Sequence, residues 1–228
     1  AGVNAGNSIT SGGNYNVTLG DEAGTAITTG DANTFVGFEA GKTISTASEN
    51  TAFGYQALKL NAAGDGNTAI GVKAMDANVT GDRNVAVGSD ALGAMNPDSN
   101  ADMYNTAVGY NAGGAVTTGT QNTLIGGLAG DATTTGTGNT AIGQESLGVN
   151  TTGSDNVAIG RDALDANTTA SNNTAVGKSS LGGNTTGASN VAVGRSALLS
   201  NTTASSNTAV GYRASHDNTT GTRNVSMG

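Results

Sequence analysis

The first chemistry that this sequence suggests is hydrolysis, because Ser215, His216 and Asp217 follow one another. A Ser-His-Asp triad is assembled in space from separate segments, so three adjacent residues do not form one. His216 is the only histidine in the chain, and none of the 37 glycines lies in a phosphate-binding or dinucleotide-binding motif. We therefore predict no catalytic residue, no cofactor and no enzymatic activity.

Aspartates at a fixed spacing suggest calcium as a second chemistry. Asp31, Asp65 and Asp82 occupy the same place in their repeats, and Asp98 and Asp102 lie in an insertion. Calcium requires several converging oxygen atoms, and the nonapeptide pattern of calcium-binding β-rolls is absent. The chain also has no cysteine, which excludes thiolate metal ligands and disulfides. We predict no metal site.

Asparagine followed two residues later by threonine is the acceptor pattern for N-glycosylation. Six such asparagines share one repeat position, so glycans on them would form a row along one edge. An Asn-Thr-Thr-Gly turn without any glycan explains the same pattern. The candidate acceptors are Asn78, Asn150, Asn167, Asn184, Asn201 and Asn218.

Adjacent threonines recur at the same spacing, as at Thr151-Thr152 and Thr168-Thr169. Stacked threonines suggest binding to ice, for which we expect a flat face with two outward rows. Neighbouring residues of a strand point to opposite sides, so only one of the two threonine rows can face outward. The pairs therefore give ice binding only weak support.

Charge and composition exclude several classes of partner. The net charge is −8 and the pI about 4.3, which disfavours nucleic acid, and the nine Lys and Arg residues are scattered singly along the sequence. No apolar run is long enough to cross a bilayer, so we predict no membrane span.

All these residues lie within a repeat that opens with Asn-Thr-Ala-Val-Gly, as at Asn105. Thirteen copies begin between Asn16 and Asn224; eleven of the twelve intervals are 17 residues and one is 21. Residues 1–15 form a degenerate first repeat, and residues 16–228 form a continuous array with an insertion near residues 95–104. We number each repeat 1 to 17 from its asparagine.

Positions 2 to 5 of the repeat predict a short strand. Position 2 is always Thr or Val, and position 4 is always Val, Ile, Leu, Phe or Met. The residue types at both positions suit a pleated surface, and the two-residue period of a strand places positions 2 and 4 on the same face. The glycine at position 5 ends the strand, and asparagines stacked at position 1 can form a hydrogen-bonded ladder.

Positions 9 and 12 compensate for one another. Leu164 at position 9 accompanies Asn167 at position 12, whereas Gly41 accompanies Ile44. Gly130 with Thr133 is a weak case of the rule. We infer that the two positions border one core volume, which one aliphatic side chain fills.

The repeat therefore predicts an all-β protein, a parallel β-solenoid or β-roll of about thirteen coils. At about 4.8 Å per coil the stack would be about 60 Å long. Each coil has only about three medium or large apolar side chains, which at about 2 kcal/mol each barely offset the entropy lost on folding. We therefore expect that several chains share a core, as in a homotrimeric fibre, or that glycans or ions reinforce the stack.

The Asn-Thr-Ala-Val-Gly motif, with Ala-Leu and Asn-Thr-Thr-Gly between copies, resembles the repeats of tail-fibre-like proteins of phages and bacteria. It resembles more distantly the head repeats of trimeric autotransporter adhesins, whose motif is Asn-Ser-Val-Ala-Ile-Gly. The repeat here is longer than in those heads, and its motif is one residue shorter. Those heads are left-handed parallel β-rolls of three chains with their aliphatic residues turned inward.

The resemblance implies that position 4 is the structural core, joined by position 2 residues such as Thr68 and Val85. The implied core residues are Val36, Phe53, Ile70, Val87, Val108, Ile125, Ile142, Ile159, Val176, Val193 and Val210.

We expect a structural fibrous protein, outside the cell, at the cell surface or on a virion: the shaft of a phage tail fibre, a surface adhesin or an extracellular filament. Its partners would be further copies of itself, in a trimer or an end-to-end filament, and cell-surface glycans. The alternative is a solenoid that binds glycans or ice.

Overall fold

The computed structural model describes residues 2–9 and 12–228, and its regular secondary structure is a parallel β-solenoid of 17-residue coils, as predicted. The chain forms two compact units, Ala1–Thr118 and Gly119–Gly228. We number the coils from coil 1 at Asn16 to coil 13 at Asn224. Coil 6 begins at Asn105, after the insertion.

Each coil contributes one strand of three residues, from positions 2 to 4, to a parallel in-register ladder. Thr140, for example, lies opposite Val157, and Ile142 lies opposite Ile159. In the first unit the ladder strands are β1 (Val17–Leu19), β2 (Thr34–Val36), β3 (Thr51–Phe53), β4 (Thr68–Ile70), β6 (Val85–Val87) and β8 (Thr106–Val108). In the second unit they are β9 (Thr123–Ile125), β10 (Thr140–Ile142), β11 (Val157–Ile159), β12 (Thr174–Val176), β13 (Val191–Val193), β14 (Thr208–Val210) and β15 (Val225–Met227).

The insertion in coil 5 leaves this ladder intact. Two short strands outside it, β5 (Gly81–Asp82) and β7 (Ala101–Asp102), pair with each other in parallel. Strands β6 and β8 stay in register across the insertion, with Val85 opposite Thr106. The extra residues are therefore accommodated outside the strand column.

The degenerate first repeat is described except for residues 1, 10 and 11. The predicted match of Ile9-Thr10-Ser11-Gly12 to a later repeat therefore lies partly outside the described residues. The remainder is hydrogen-bonded to coil 1: the Gly6 N–H donates to the Ala23 carbonyl (2.9 Å), and the Glu22 N–H donates to the Val3 carbonyl (2.9 Å).

Each coil turns through residues with positive φ at positions 7, 9 and 17. In coil 9 these are Asp162, Leu164 and Asn172, with φ of 58°, 52° and 63°. This left-handed conformation costs an L-residue about 1–2 kcal/mol. Leucine at position 9 is therefore held against a backbone preference by what its side chain packs against.

The interior of each coil is lined by positions 3, 8, 9 and 12, and not by position 4. In coil 9 the interior residues Ala158, Ala163, Leu164 and Asn167 are all fully buried. Because alternate residues of a strand point to opposite sides, burial of position 3 turns positions 2 and 4 outward. The narrow interior holds alanine at position 3 in most coils, so the β-branched neighbours lie outside.

The structural core that the resemblance implied is therefore wrong for the single chain. Its residues are half-buried or exposed on the outer strand face, with Phe53 exposed to 57%. They are Val36, Phe53, Ile70, Val87, Val108, Ile125, Ile142, Ile159, Val176, Val193 and Val210.

The packing confirms the predicted exchange between positions 9 and 12 except in coil 5, where Leu92 and Met95 at these positions are both fully buried. A Cβ atom added to Gly24 would lie 2.7 Å from Ile27 Cδ1, so the isoleucine occupies the space of a position 9 side chain. Position 3 shares the same space, which the sequence did not reveal. A Cβ on Gly41 would lie 2.7 Å from Phe35 Cδ2, and one on Gly130 would lie 2.7 Å from Leu124 Cδ2.

Candidate functional site: the outer faces of the solenoid

The outer face of the strand column carries two parallel rows of side chains, from positions 2 and 4. In the second unit Thr140 and Val157 lie in one row, and Ile142 and Ile159 in the other. Ile142 is 36% exposed and Ile159 37% exposed. Stacked strands lie about 4.8 Å apart, and side chains two residues apart on a strand lie about 6.7 Å apart. The face is therefore a regular grid that repeats with every coil, with an apolar row at position 4 and a row of Thr or Val at position 2.

Glycine at position 5 brings the coils into close contact beside this grid. Gly160 has φ of 125°, and a Cβ atom on it would lie 2.7 Å from the Gly177 carbonyl carbon. No larger residue fits between coils here, so the grid is held at the spacing of the backbone hydrogen bonds. No residue at position 2 or 4 is charged in any of the thirteen copies.

Two buried asparagines close each coil of the Leu type, which is the type with leucine or methionine at position 9 and asparagine at position 12. In coil 9 the side chains of Asn156 and Asn167 both donate from Nδ2 to the carbonyl of Ala170, at 2.9 and 3.0 Å. Asn167 Nδ2 also donates to Oδ1 of Asn150 in the coil before (2.9 Å). Asn156 Oδ1 accepts the backbone N–H of Asn173 in the next coil (3.0 Å). The predicted asparagine ladder at position 1 is thus confirmed, and a second one runs along position 12.

Five of the six proposed glycosylation sites belong to the position 12 ladder. Their side chains are fully buried, and Nδ2, the atom that a glycan would occupy, donates hydrogen bonds inside the coil. A glycan on that nitrogen would have to displace these hydrogen bonds. The five are Asn78, Asn150, Asn167, Asn184 and Asn201. Asn218 is half-buried, and its Nδ2 still donates to the Gly221 carbonyl (3.0 Å).

In coils 8 to 10 the paired threonines provide only one outward row, as predicted, whereas Thr202 and Thr203 of coil 11 are both exposed. At position 13 the hydroxyl is used between coils: Thr151 Oγ1 donates to the Thr168 carbonyl (3.0 Å), and Thr168 Oγ1 donates to the Thr185 carbonyl (3.2 Å). At position 14 Thr152 and Thr169 are exposed. A flat face with two outward rows therefore exists on the strand column and not at the threonine pairs.

The residues first considered for catalysis or calcium binding make other hydrogen bonds and contacts. Ser215 Oγ hydrogen-bonds Ser226 Oγ (2.7 Å), while His216 Nδ1 contacts Asp217 Oδ1 (2.5 Å), so no serine-to-histidine contact forms. Asp65 Oδ1 accepts the Ser48 N–H (2.7 Å), and Asp82 Oδ1 accepts the Asp65 N–H (2.8 Å). Asp31 Oδ1 likewise accepts the Asn14 N–H (2.7 Å).

Residues 2–9 and 12–228 form no pocket. Among them, no group of three or more His, Cys, Asp or Glu side chains is arranged to hold a metal. Asp98 and Asp102 of the insertion belong to no such group, and Asp102 forms an ion pair with Arg83. No described helix has the length and apolar character to cross a membrane.

Carboxylates at the turn of each coil differ in their electrostatic surroundings. The pKa of Glu39 is lowered to about 2, because its side chain accepts hydrogen bonds from Lys42, Lys59 and Gln56. The pKa of Asp165 is raised, first because burial penalises its charged form and then because Asp162 and Glu145 lie nearby. Burial also raises the pKa of Asp131.

Position 6, just beyond the close-packed glycines, forms a second outward column whose chemistry differs between the units. In the first unit Phe38 and Tyr55 stack with ring centroids 5.4 Å apart. In the second unit Arg161, Lys178 and Arg195 follow one another in coils 9 to 11, and all three are exposed. These basic residues stand singly in the sequence, but a spacing of 17 residues places them in adjacent coils.

No protein-family model, curated protein or solved structure matches the chain at a significant level. The solenoid fold therefore rests on the structure itself.

Proposed function

We propose that the chain is a structural, non-enzymatic element of an extracellular or virion fibre, such as a tail-fibre shaft, a surface adhesin or a filament. In this proposal copies of the chain, most simply three, pack together through the outer strand face. The observation that supports it is the apolar side chain at position 4 of every coil, which is exposed or half-buried on the outer strand face.

Two properties of that face favour another copy as its cover. Parallel sheets are usually covered on both faces, and here the inner face packs on the coil interior while the outer face is apolar. A partner that matches the grid coil after coil needs the same repeat, which a second copy has. The absence of charge at positions 2 and 4 also avoids repulsion between copies, although the chain carries −8 overall.

The oligomeric state in solution tests this proposal. We expect light scattering coupled to size exclusion to give about three times the 22.0 kDa chain mass. The double variant Ile142→Asp/Ile159→Asp should run as a monomer, because it places two charges in the apolar row of the grid. The control Thr152→Asp/Thr169→Asp adds the same charges on exposed position 14 and should keep the oligomer. A wild-type monomer, or equal dissociation by both variants, would refute the proposal.

A second candidate function is ice binding, favoured by the two outward rows at positions 2 and 4. Position 2 is Thr in eight coils and Val in five. The two side chains have nearly the same shape, so the surface of the row stays regular although hydroxyls are absent from the Val coils. This function predicts a monomer with thermal hysteresis, and Thr140→Lys on the face should abolish the hysteresis while Thr152→Lys should not. A wild-type chain without hysteresis would exclude it.

A further inference from the structure

We propose that the position 6 column of coils 9 to 11, formed by Arg161, Lys178 and Arg195, binds a linear acidic polysaccharide. We call these three residues the basic column. The inference does not depend on association between copies, because position 6 lies beyond the glycine that ends each strand.

The geometry of the basic column is fixed by the backbone. The N–H groups of Gly160, Gly177 and Gly194, each directly before a column residue, donate to strand carbonyls of the coil before at 2.7 Å. Adjacent coils are therefore about 4.8 Å apart, and the backbone positions of the three column residues follow one another at that interval. A flexible surface would not present three charges at one constant spacing.

Folding stability does not explain the basic column. Like charges directly opposite one another on adjacent strands are destabilising. Arg161 contacts Asp162 (Nε to Oδ2, 3.4 Å), while the described residues provide no ion pair for Lys178 or Arg195. The second unit has five basic and six acidic residues, a net charge of −1, so acids are available in this unit but lie at positions 7, 10, 11 and 17. Lys178 and Arg195 therefore meet no described carboxylate and can bind an external anion, and Arg161 has only one long contact with Asp162 to exchange for it.

The neighbouring residues suit a carbohydrate. Tyr212 follows at position 6 of coil 12, with its side chain 63% exposed, and the Arg195 guanidinium carbon lies 5.9 Å from the centre of its ring. Gln144 precedes the column at position 6 of coil 8 and is also exposed. An aromatic ring and a polar amide at the two ends of a cationic line can contact sugar rings and hydroxyls.

The charge of the chain favours a polysaccharide over a nucleic acid. A single row of three cations contacts one edge of a linear chain, and the overall charge of −8 repels a polymer with a phosphate at every residue. A polysaccharide with one carboxylate or sulfate per one or two sugars has a lower charge density. Binding to it should still weaken with salt, since it rests on charge pairing.

Calorimetry or surface binding at low salt with κ-carrageenan, which has one sulfate per two sugars, and with hyaluronate, which has one carboxylate per two sugars, tests the site and distinguishes sulfate from carboxylate as the preferred anion. We expect Arg161→Gln/Lys178→Gln/Arg195→Gln to bind at least tenfold more weakly to the preferred polymer. The matched control Lys73→Gln/Arg83→Gln/Arg223→Gln removes three exposed positive charges outside the column and should bind as the wild type does.

Circular dichroism of each variant should show that the fold is kept. The proposal is refuted if neither polysaccharide binds to the wild type, if the two triple variants lose affinity equally, or if single-stranded DNA binds as tightly as the better polysaccharide.

Discussion

Coil 2 and coil 9 follow the same backbone path but fill it with different side chains. At position 9 Gly41 has φ of 58° and Leu164 has φ of 52°, and the N–H of each donates to the carbonyl of position 8 in the next coil. Coil 2 fills its interior with Phe35 and Ile44, whereas coil 9 uses Leu164 with a buried Asn167. What the repeat keeps constant is therefore an interior volume and a hydrogen-bond pattern, and not a residue at a given position.

The largest expected effect is in coil 2. Phe35→Ala removes the side chain that fills the space beside Gly41, and because glycine cannot fill it, a cavity should remain. We expect a loss of about 3–5 kcal/mol in the free energy of unfolding, measured by urea denaturation. Phe53→Ala removes the same side chain from exposed position 4 and, at concentrations where the chain is monomeric, should change stability by less than about 0.5 kcal/mol. Equal losses would contradict the assignment of position 3 to the interior.

A Leu-type coil can be converted into one with glycine at position 9 and isoleucine at position 12. The stability lost in this conversion should depend on the place of the coil in the asparagine ladder. Leu164→Gly should destabilise, and Asn167→Ile added to it should partly restore stability by filling the same volume. That rescue is limited, because Asn150 Oδ1 loses its donor from Asn167. A buried acceptor without its partner costs about 1–3 kcal/mol.

The first position of the ladder offers the matched comparison. Asn150 begins the ladder, so Leu147→Gly/Asn150→Ile takes no donor from a preceding asparagine, and Asn167 Nδ2 still donates to the Ala170 carbonyl. We expect this double variant to be more stable than Leu164→Gly/Asn167→Ile by about 1 kcal/mol or more in urea denaturation. Equal stabilities would mean that the bonds between asparagines contribute little. A double variant at 164 and 167 no more stable than Leu164→Gly would show that positions 9 and 12 do not share one volume.

A smaller, stabilising effect is expected in coil 7, where the exchange rule is incomplete. Thr133 at position 12 is buried, and its hydroxyl has no hydrogen-bond partner among the described residues, while Leu124 fills the interior. Thr133→Val keeps the shape and removes an unsatisfied group, so the free energy of unfolding should rise by about 1 kcal/mol. Thr168→Val is the control: its hydroxyl donates to the Thr185 carbonyl, and its loss should destabilise. A drop in the melting temperature of Thr133→Val would show that its hydroxyl is satisfied.

The sequence predicted the solenoid and the shared volume because both depend on spacing, which 17-residue repeats display directly. It did not predict which strand face is inward, since Val and Ile at position 4 suit either a core or an exposed pleated surface. The burial of Asn167 was also missed, because Asn-Thr-Thr-Gly reads equally as an exposed turn or a glycan acceptor. The basic column was visible in the sequence only once Arg161, Lys178 and Arg195 were aligned by repeat.

The carboxylates of coil 2 and coil 9 should also make the stability of the fold depend on pH in opposite ways. Glu39 in coil 2 has a pKa lowered to about 2, so its ionised form stabilises the fold above its ordinary pKa of 4.5, and this contribution is lost as the pH falls toward 2. Asp165 in coil 9 has a raised pKa, so its ionisation on burial costs stability at neutral pH and the penalty disappears below its ordinary pKa of 3.8.

Glu39→Gln should therefore lower the melting temperature at pH 7, with the difference from wild type shrinking between pH 4.5 and 2. Asp165→Asn should raise the melting temperature at pH 7 and have little effect below its ordinary pKa of 3.8. Thermal melts of both variants from pH 2 to 7 measure this. These are the smallest effects expected, since each variant keeps the size of the side chain and removes only its charge. If both variants shift in the same direction at pH 7, the opposite environments of the two carboxylates do not control the stability of their coils.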